Sequence, residues 1–293
     1  MQDTKPQNDQ NLALQLSYLR KFKPRQCQTP LLHAAKNGYE GIVGLLLKTS
    51  KVNADSKDTY GWTPLLYASQ HGHEGVVKLL LETGKVDIDL KSMYGWTPLS
   101  YASQNGYEGV VKLLLETGKV NANLENGLNR TPLSYATKEG HEGIVKLLLE
   151  TGKIDADSKD TYGRTPLSHA SQNGHEGIVK LLLKTGKVDA DSKDIKGQTP
   201  LLYVVVNGYE GIVELLLKTG KVNADWKGYY DRTPLSQAVE NGDKCSVKLL
   251  LETGKVDADS KDIKGQTPRS YASKNGIEDI VKLLYITFWV IVS

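Results

Sequence analysis

Several short motifs in this chain set metal-, calcium- or phosphate-binding residue types at suggestive intervals. His73-Glu74, His141-Glu142 and His175-Glu176 open like a helix in which two imidazoles one turn apart hold zinc beside a basic Glu. The fifth positions hold Val77, Val145 and Val179, so the second ligand is missing. Asp155-Ala156-Asp157 begins like a calcium loop, which needs alternating oxygen ligands, a Gly at its sharp turn and a closing bidentate Glu. Asp160 stands where that Gly belongs and Pro166 where that Glu belongs. Gly84-Lys85 and its counterparts lack the upstream Gly with which a phosphate loop aims its backbone donors. Asn129-Arg130-Thr131 has the form of a glycosylation acceptor, which an intracellular chain does not use. No Ser, His and acid set stands apart from this repeated background, so nucleophile, base and oxyanion donors are not assembled. The chain reads as non-catalytic, with no metal and no cofactor.

Bulk properties narrow the class further. At 293 residues, 39% hydrophobic and 24% charged, the composition is that of an ordinary globular protein. Lys and Arg total 37 against 34 acids, and a formal charge of +3 gives no field that favours nucleic acid or an anionic membrane. Arg130, Arg164 and Arg232 would be the contacts to a nucleic acid, but Glu139 and Glu240 interrupt that face. Cys27 and Cys245 lie far apart in unlike contexts, which speaks for a reducing compartment. The polar start, Met1 to Pro6, carries no apolar signal core. A cytoplasmic or nuclear location follows.

Any binding residue must be positioned by the element that repeats. Thr-Pro recurs at Thr29, Thr63, Thr97, Thr131, Thr165, Thr199, Thr233 and Thr267, always 34 residues apart. Within one unit, Thr97 is an N-cap and Pro98 occupies the first helical position, where its missing donor costs nothing. Asn105-Gly106 ends this helix of about two turns; Glu108 opens a second, more apolar helix that Gly118 closes. The polar stretch Lys119 to Arg130 forms an extended finger with a turn. Helices this short are marginal alone and must share burial with neighbours.

The pattern Gly-Trp-Thr-Pro-Leu-Ser-Tyr-Ala-Ser-Gln-Asn-Gly-Tyr-Glu-Gly-Val-Val-Lys-Leu-Leu-Leu-Glu-Thr-Gly resembles the ankyrin repeat, in the form of the tandem arrays abundant in filamentous fungi. The resemblance covers roughly residues 26–285. It implies an all-α solenoid of eight stacked helix-turn-helix repeats with extended finger or β-hairpin loops. Two departures are visible. The finger carries one residue beyond the usual period of 33, and the usual His after Thr-Pro-Leu is replaced by Leu or Ser, as at Leu66 and Ser100. The family's Thr-His hydrogen-bond network is therefore not carried over. Tetratricopeptide repeats share the period of 34 but need two longer helices and lack a finger.

Variable columns mark a candidate binding surface. The residue before Thr is Trp62, Trp96, Arg130, Arg164 and Arg232 in five repeats and Gln in the others. Four residues after Thr come rings, among them Tyr67, Tyr101, Tyr135, His169 and Tyr203; three further on lie Gln70 and Gln104. Tyr60 and Tyr94 belong to the same fingers. The resemblance implies that first helices and fingers form a concave groove for a partner protein, and Tyr, Trp and Arg are types enriched at interface hot spots. A packing role between neighbouring first helices is the competing reading of the Tyr column. The finger tryptophans have little core to enter and read as partner contacts. Glu74-Lys78-Glu82, Glu108-Lys112-Glu116 and Glu142-Lys146-Glu150 read as a solvated outer face on the second helices.

The ends differ from the middle. Residues 1–24 form a lead, in which Leu12, Leu16 and Leu19 lie on one helical face and suggest a capping helix over 11–22; the array spans 25–285; and 286–293 is an apolar tail. The tail reads as a cap on the last repeat, being too short for the roughly 20 residues of a spanning helix. Two functions are compatible with this organisation: a monomeric scaffold or adaptor binding a partner protein, or the ligand-sensing regulatory part of a larger signalling receptor.

Overall fold

The computed structural model describes residues 29–49 and 51–292, with side chains as far as Tyr285. The expected capping helix at 11–22, Cys27, Gln28 and the side chains of the apolar tail lie outside this description. The chain divides into two compact units, residues 1–154 and 155–293. Among the described residues all regular structure is helical, apart from turns.

The first unit holds α1 (Pro30–Lys36), α2 (Glu40–Leu47), α3 (Pro64–Gln70), α4 (Glu74–Glu82), α5 (Pro98–Asn105), α6 (Glu108–Glu116), α7 (Pro132–Glu139) and α8 (Glu142–Glu150). The second holds α9 (Pro166–Gln172), α10 (Glu176–Lys184), α11 (Pro200–Asn207), α12 (Glu210–Lys218), α13 (Pro234–Glu240), α14 (Lys244–Glu252), α15 (Pro268–Lys274) and α16 (Glu278–Val292), with a single 3-10 turn at Tyr229–Asp231. Within each unit the odd-numbered first helices pack on one another in a row, and so do the even-numbered second helices.

Each first helix begins where the sequence says it must. The hydroxyl of Thr97 accepts the N–H of Ser100 at 3.1 Å, and Pro98 follows the cap. The same bond recurs after every Thr of the motif, a contribution of about 1 kcal/mol per helix. Where Ser takes the place of the expected His, at Ser100, Ser134, Ser168 and Ser236, its hydroxyl pairs with the Thr hydroxyl inside the same repeat, as in Thr97–Ser100 at 2.9 Å and Thr233–Ser236 at 3.0 Å, while Ser270 turns to the Thr267 backbone and Gln266 instead. Gly106 and Gly140 close α5 and α7 in the left-handed conformation, with φ of 79° and 84°.

Burial is shared along the rows. Leu65, Ala68, Val76, Val77 and Leu80 are fully buried, as are their equivalents Leu99, Ala102, Val110, Val111 and Leu114. Each such Val or Leu side chain is worth about 1.5–3 kcal/mol removed from water, which helices of seven to nine residues cannot bury against themselves. The outer charges behave as surface pairs: Lys112–Glu116 and Lys146–Glu150 stand 4.0 Å apart and well exposed, and contribute little. The Glu that opens a second helix can have another place. Glu40 and Glu74 lean over Gly75 and Gly109 of the following repeat, where a Cβ would lie about 2 Å from the carboxylate.

Between a second helix and the next first helix the chain makes two tight turns, and the expected finger is held by turns rather than by strands among the described residues. At the finger base one carboxylate reaches to the next repeat: Asp55 Oδ2 accepts the N–H of Asp87 at 2.9 Å, and Asp191 Oδ1 that of Asn223 at 3.1 Å. Partial burial pushes Asp55, Asp89, Asp157, Asp191 and Asp225 above the ordinary carboxylate range, with the accepted N–H opposing the push. At the tips one backbone bond joins neighbours, Met93 N to Tyr60 O at 3.1 Å and Gly127 N to Tyr94 O at 3.0 Å.

Two outcomes follow from shared burial and from this acidic row. Gly140→Val, which forces a β-branched residue to φ near 84°, is expected to cost about 1–2 kcal/mol. Hydrogen exchange should quicken in residues 97–130 as well as 131–150; a change confined to 131–150 would contradict shared stacking. At Asp89 the folded state raises the pKa, so its favourable contribution is complete below the ordinary value of 3.8 and is lost as pH rises through the higher folded value. Asp89→Asn keeps an acceptor for Asn121 and should raise the melting temperature at pH 7, with the gain vanishing below pH 3.8 in a pH series of thermal melts.

Candidate functional site

In six of the repeats the exposed finger and the first helix are tied by one polar side chain. Asp58 Oδ1 accepts the N–H groups of Tyr60 and Trp62, both at 2.9 Å, and its Oδ2 accepts the Tyr67 hydroxyl at 2.7 Å. Asp58 and Tyr67 are both buried. Asn126 does the same work with its amide: Oδ1 accepts from Leu128 and Arg130, and Nδ2 donates to the Tyr135 hydroxyl at 2.7 Å. In the second unit Asp160 holds His169 Nε2 at 3.1 Å, and Asp194 and Asp262 hold the Tyr203 and Tyr271 hydroxyls at 2.6 Å. Burial, then the Asp194 bond, pushes the Tyr203 hydroxyl far above its ordinary pKa. Against the upward push of burial, the Tyr271 hydroxyl and two backbone donors hold Asp262 below the ordinary range.

These anchored rings form a ladder in the first unit. The Trp62 indole stacks on Tyr67 with centroids 4.8 Å apart and on Tyr101 at 4.7 Å; Trp96 stacks on Tyr101 at 4.7 Å and meets Tyr135 at 4.3 Å. The order is therefore Tyr67, Trp62, Tyr101, Trp96, Tyr135, with fingers and first helices alternating. Cations close both ends, Lys36 Nζ 5.2 Å above Tyr67 and the Arg130 guanidinium 5.9 Å from Tyr135. Contrary to the sequence expectation, the finger tryptophans do have something to enter: each is half-buried between rings of two repeats.

The remaining predicted residues separate by exposure. Tyr60 and Tyr94 stand at the tips, 54% and 66% exposed, beside Met93 at 62%. Gln70 and Gln104 are half-buried near the ends of α3 and α5, with no side-chain hydrogen bond among the described residues. Tyr67, Tyr101, Tyr135, His169 and Tyr203 are buried. In the second unit Arg164 lies 5.6 Å from the Tyr203 ring and 3.8 Å from Asp194. Arg232 is committed to Glu240 and to the Tyr271 hydroxyl, 3.0 Å away. A cleft of about 650 Å³ opens between two finger tips of the first unit, lined by Met93, Tyr94, Trp96 and Leu128, with Lys91 and Glu125 at its rim.

The motif histidines serve packing. His73 and His141 cover Gly38 and Gly106 of the preceding repeat, and their Nε2 atoms sit 3.0 Å from the carbonyls of Lys36 and Gln104. Among the described residues no three metal-ligating side chains gather.

A family model described as ankyrin repeats (3 copies) matches the chain four times, over residues 7–92, 84–160, 152–225 and 222–288. The chain belongs to the ankyrin repeat family. Ankyrin repeats are non-catalytic modules that bind other proteins. No curated protein matches the chain. No helix among the described residues is long and apolar enough to cross a membrane.

Sequence reasoning missed the polar column of Asp58, Ser92, Asn126, Asp160, Asp194 and Asp262, which positions the ankyrin rings nine residues later. One signal was available: repeat seven has Gly228 in that column and Gln237 in place of the ring, so both partners are lost together. There Trp226 Nε1 bonds the Gly197 carbonyl at 2.7 Å, and Tyr230 and Asp231 take positive φ.

Tyr203→Phe removes the hydroxyl and leaves Asp194 buried with one donor fewer. The expected loss is about 1.5–3 kcal/mol in denaturant unfolding, the range for a hydrogen bond to a charged group. An unchanged midpoint would show that the finger does not depend on this bond.

Proposed function

We propose that this chain is a protein-interaction scaffold, with residues 25–285 as its array of eight repeats, and that the partner lies across the finger tips and the outer edges of the aromatic ladder. The observation that carries this reading is the exposure of Met93 and Tyr94 along a cleft whose wall includes Trp96, with Tyr60 exposed on the adjoining finger tip. Large apolar side chains left in water at loop tips cost free energy unless a partner covers them. Tyr and Trp are the types that dominate binding energy when they are covered. The buried rings supply the support, holding the half-buried indoles in fixed orientation so that little side-chain entropy is lost on binding. The second helices α6 and α8 present solvated charges instead, with Lys112, Glu116, Lys146 and Glu150 exposed.

A photo-crosslinking residue at Tyr60 or Tyr94 is expected to capture the partner in the source cell, and the same residue at Lys78, Lys112 or Lys146 is not. The double change Tyr60→Ala with Tyr94→Ala should weaken partner binding by about 2 kcal/mol, roughly thirtyfold, with the melting temperature unchanged. Capture from the lysine positions alone would place the partner on the second helices and end this reading.

A further inference from the structure

The spacing of the ladder and the donors along it specify the partner's backbone. Each repeat advances the ladder by two ring-to-ring steps of 4.3–4.8 Å, roughly 9 Å in all. A polyproline II helix has three residues per turn and a rise of about 3.1 Å, so the same face returns every 9.3 Å or so. A β-strand returns the same face after two residues, about 6.7 Å, and falls out of step within one repeat.

The indole donors point the same way. Neither Trp62 Nε1 nor Trp96 Nε1 makes a hydrogen bond among the described residues, and neither is among the buried polar atoms that lack a partner, so both reach solvent. The indole of Trp226, by contrast, is spent on the Gly197 carbonyl, 2.7 Å away. A polyproline II backbone makes no internal hydrogen bonds and presents bare carbonyls, which suits a row of fixed N–H donors set along the open edge of a stacked aromatic row. Charge sets the flanks. Lys36 and Arg130 close the two ends of the ladder, and its five members include no carboxylate. From Tyr67 to Tyr135 the four steps cover the length of about six polyproline II residues.

We infer that the ladder binds a proline-rich segment in the polyproline II conformation, one proline per repeat seated against Trp62 and Trp96, with acidic residues facing Lys36 and Arg130. The inference rests on the interaction reading above and names its partner class.

The test uses the full chain and three synthetic peptides: six prolines flanked by Glu, the same peptide with Ser for every proline, and the proline peptide flanked by Lys. Titrations are followed by the tryptophan indole N–H resonances, assigned with Trp62→Phe and Trp96→Phe, which keep a ring in the stack but lose the donor. The Glu-flanked proline peptide should shift the Trp62 and Trp96 signals and leave Trp226 in place. The Ser and Lys-flanked peptides, and either Phe variant, should bind at least tenfold more weakly, with the melting temperatures of the variants unchanged. Should one variant fail to fold, the peptide series on the unaltered chain still decides. Absence of any shift at Trp62 and Trp96, or binding of the Ser peptide within twofold of the proline peptide, overturns the inference. If that happens while crosslinks still form at Tyr60 and Tyr94, the interaction surface stands and only the proline-rich partner is wrong.

Discussion

The bond between the finger's polar residue and the ring of the first helix governs much of what the surface can present. An Asp or Asn at the tip turn satisfies two backbone donors and one side-chain group at once, as Asp58 does for Tyr60, Trp62 and Tyr67. Because the group is buried, leaving any of these partners unmade would carry the full desolvation cost. The result is a ring fixed in place at the root of a solvent-facing loop. Indoles can then stack against it from both sides, which turns a set of separate loops into one continuous aromatic row. In repeat seven, where Gly228 and Gln237 cannot make the bond, the tip collapses into a 3-10 turn and a different anchor, Trp226, takes over.

Much of this was legible in the sequence. The period, the Thr caps, the Pro at the first helical turn and the Gly stops fix the helices, because each is a local rule with few competing solutions. Shared burial follows from the shortness of the helices. The fate of Trp62 and Trp96 was not legible, because their stacking partners come from two repeats, one of them about 40 residues away in Tyr101 and Tyr135. A pattern read within one unit cannot show a contact made between units. The Tyr column shows the same limit: its rings are bound face and hydroxyl inside the protein, and the exposed tyrosines among the described residues of the first unit are Tyr60 and Tyr94 at the tips.

The two compact units differ in what fills the column before each Thr. In the first, Trp62 and Trp96 make a flat, neutral row with cationic ends. In the second, Arg164 and Arg232 lie against Tyr203 and Tyr271 and are held by Asp194, Asp262 and Glu240, so the positive charge is neutralised where it stands. The same column thus holds stacked indoles in one unit and internally paired guanidinium groups in the other.

The contact between the second helices also changes along the chain. In the first unit Glu40, Glu74 and Glu108 each cover a glycine, Gly75, Gly109 and Gly143, so closely that a Cβ there would displace the carboxylate. At the last interface Lys244 replaces the Glu and Asp279 replaces the Gly, and the two form an ion pair. Arrays of near-identical repeats grow and shrink by unequal recombination, which inserts or deletes whole units wherever neighbours are interchangeable. Here a unit beginning with Lys244 has no acid to meet in a glycine-bearing successor, and a unit bearing Asp279 would set its carboxylate against a Glu. Repeats seven and eight are thus matched to each other at this contact, and replacing either with an interior repeat would separate the lysine from its acid.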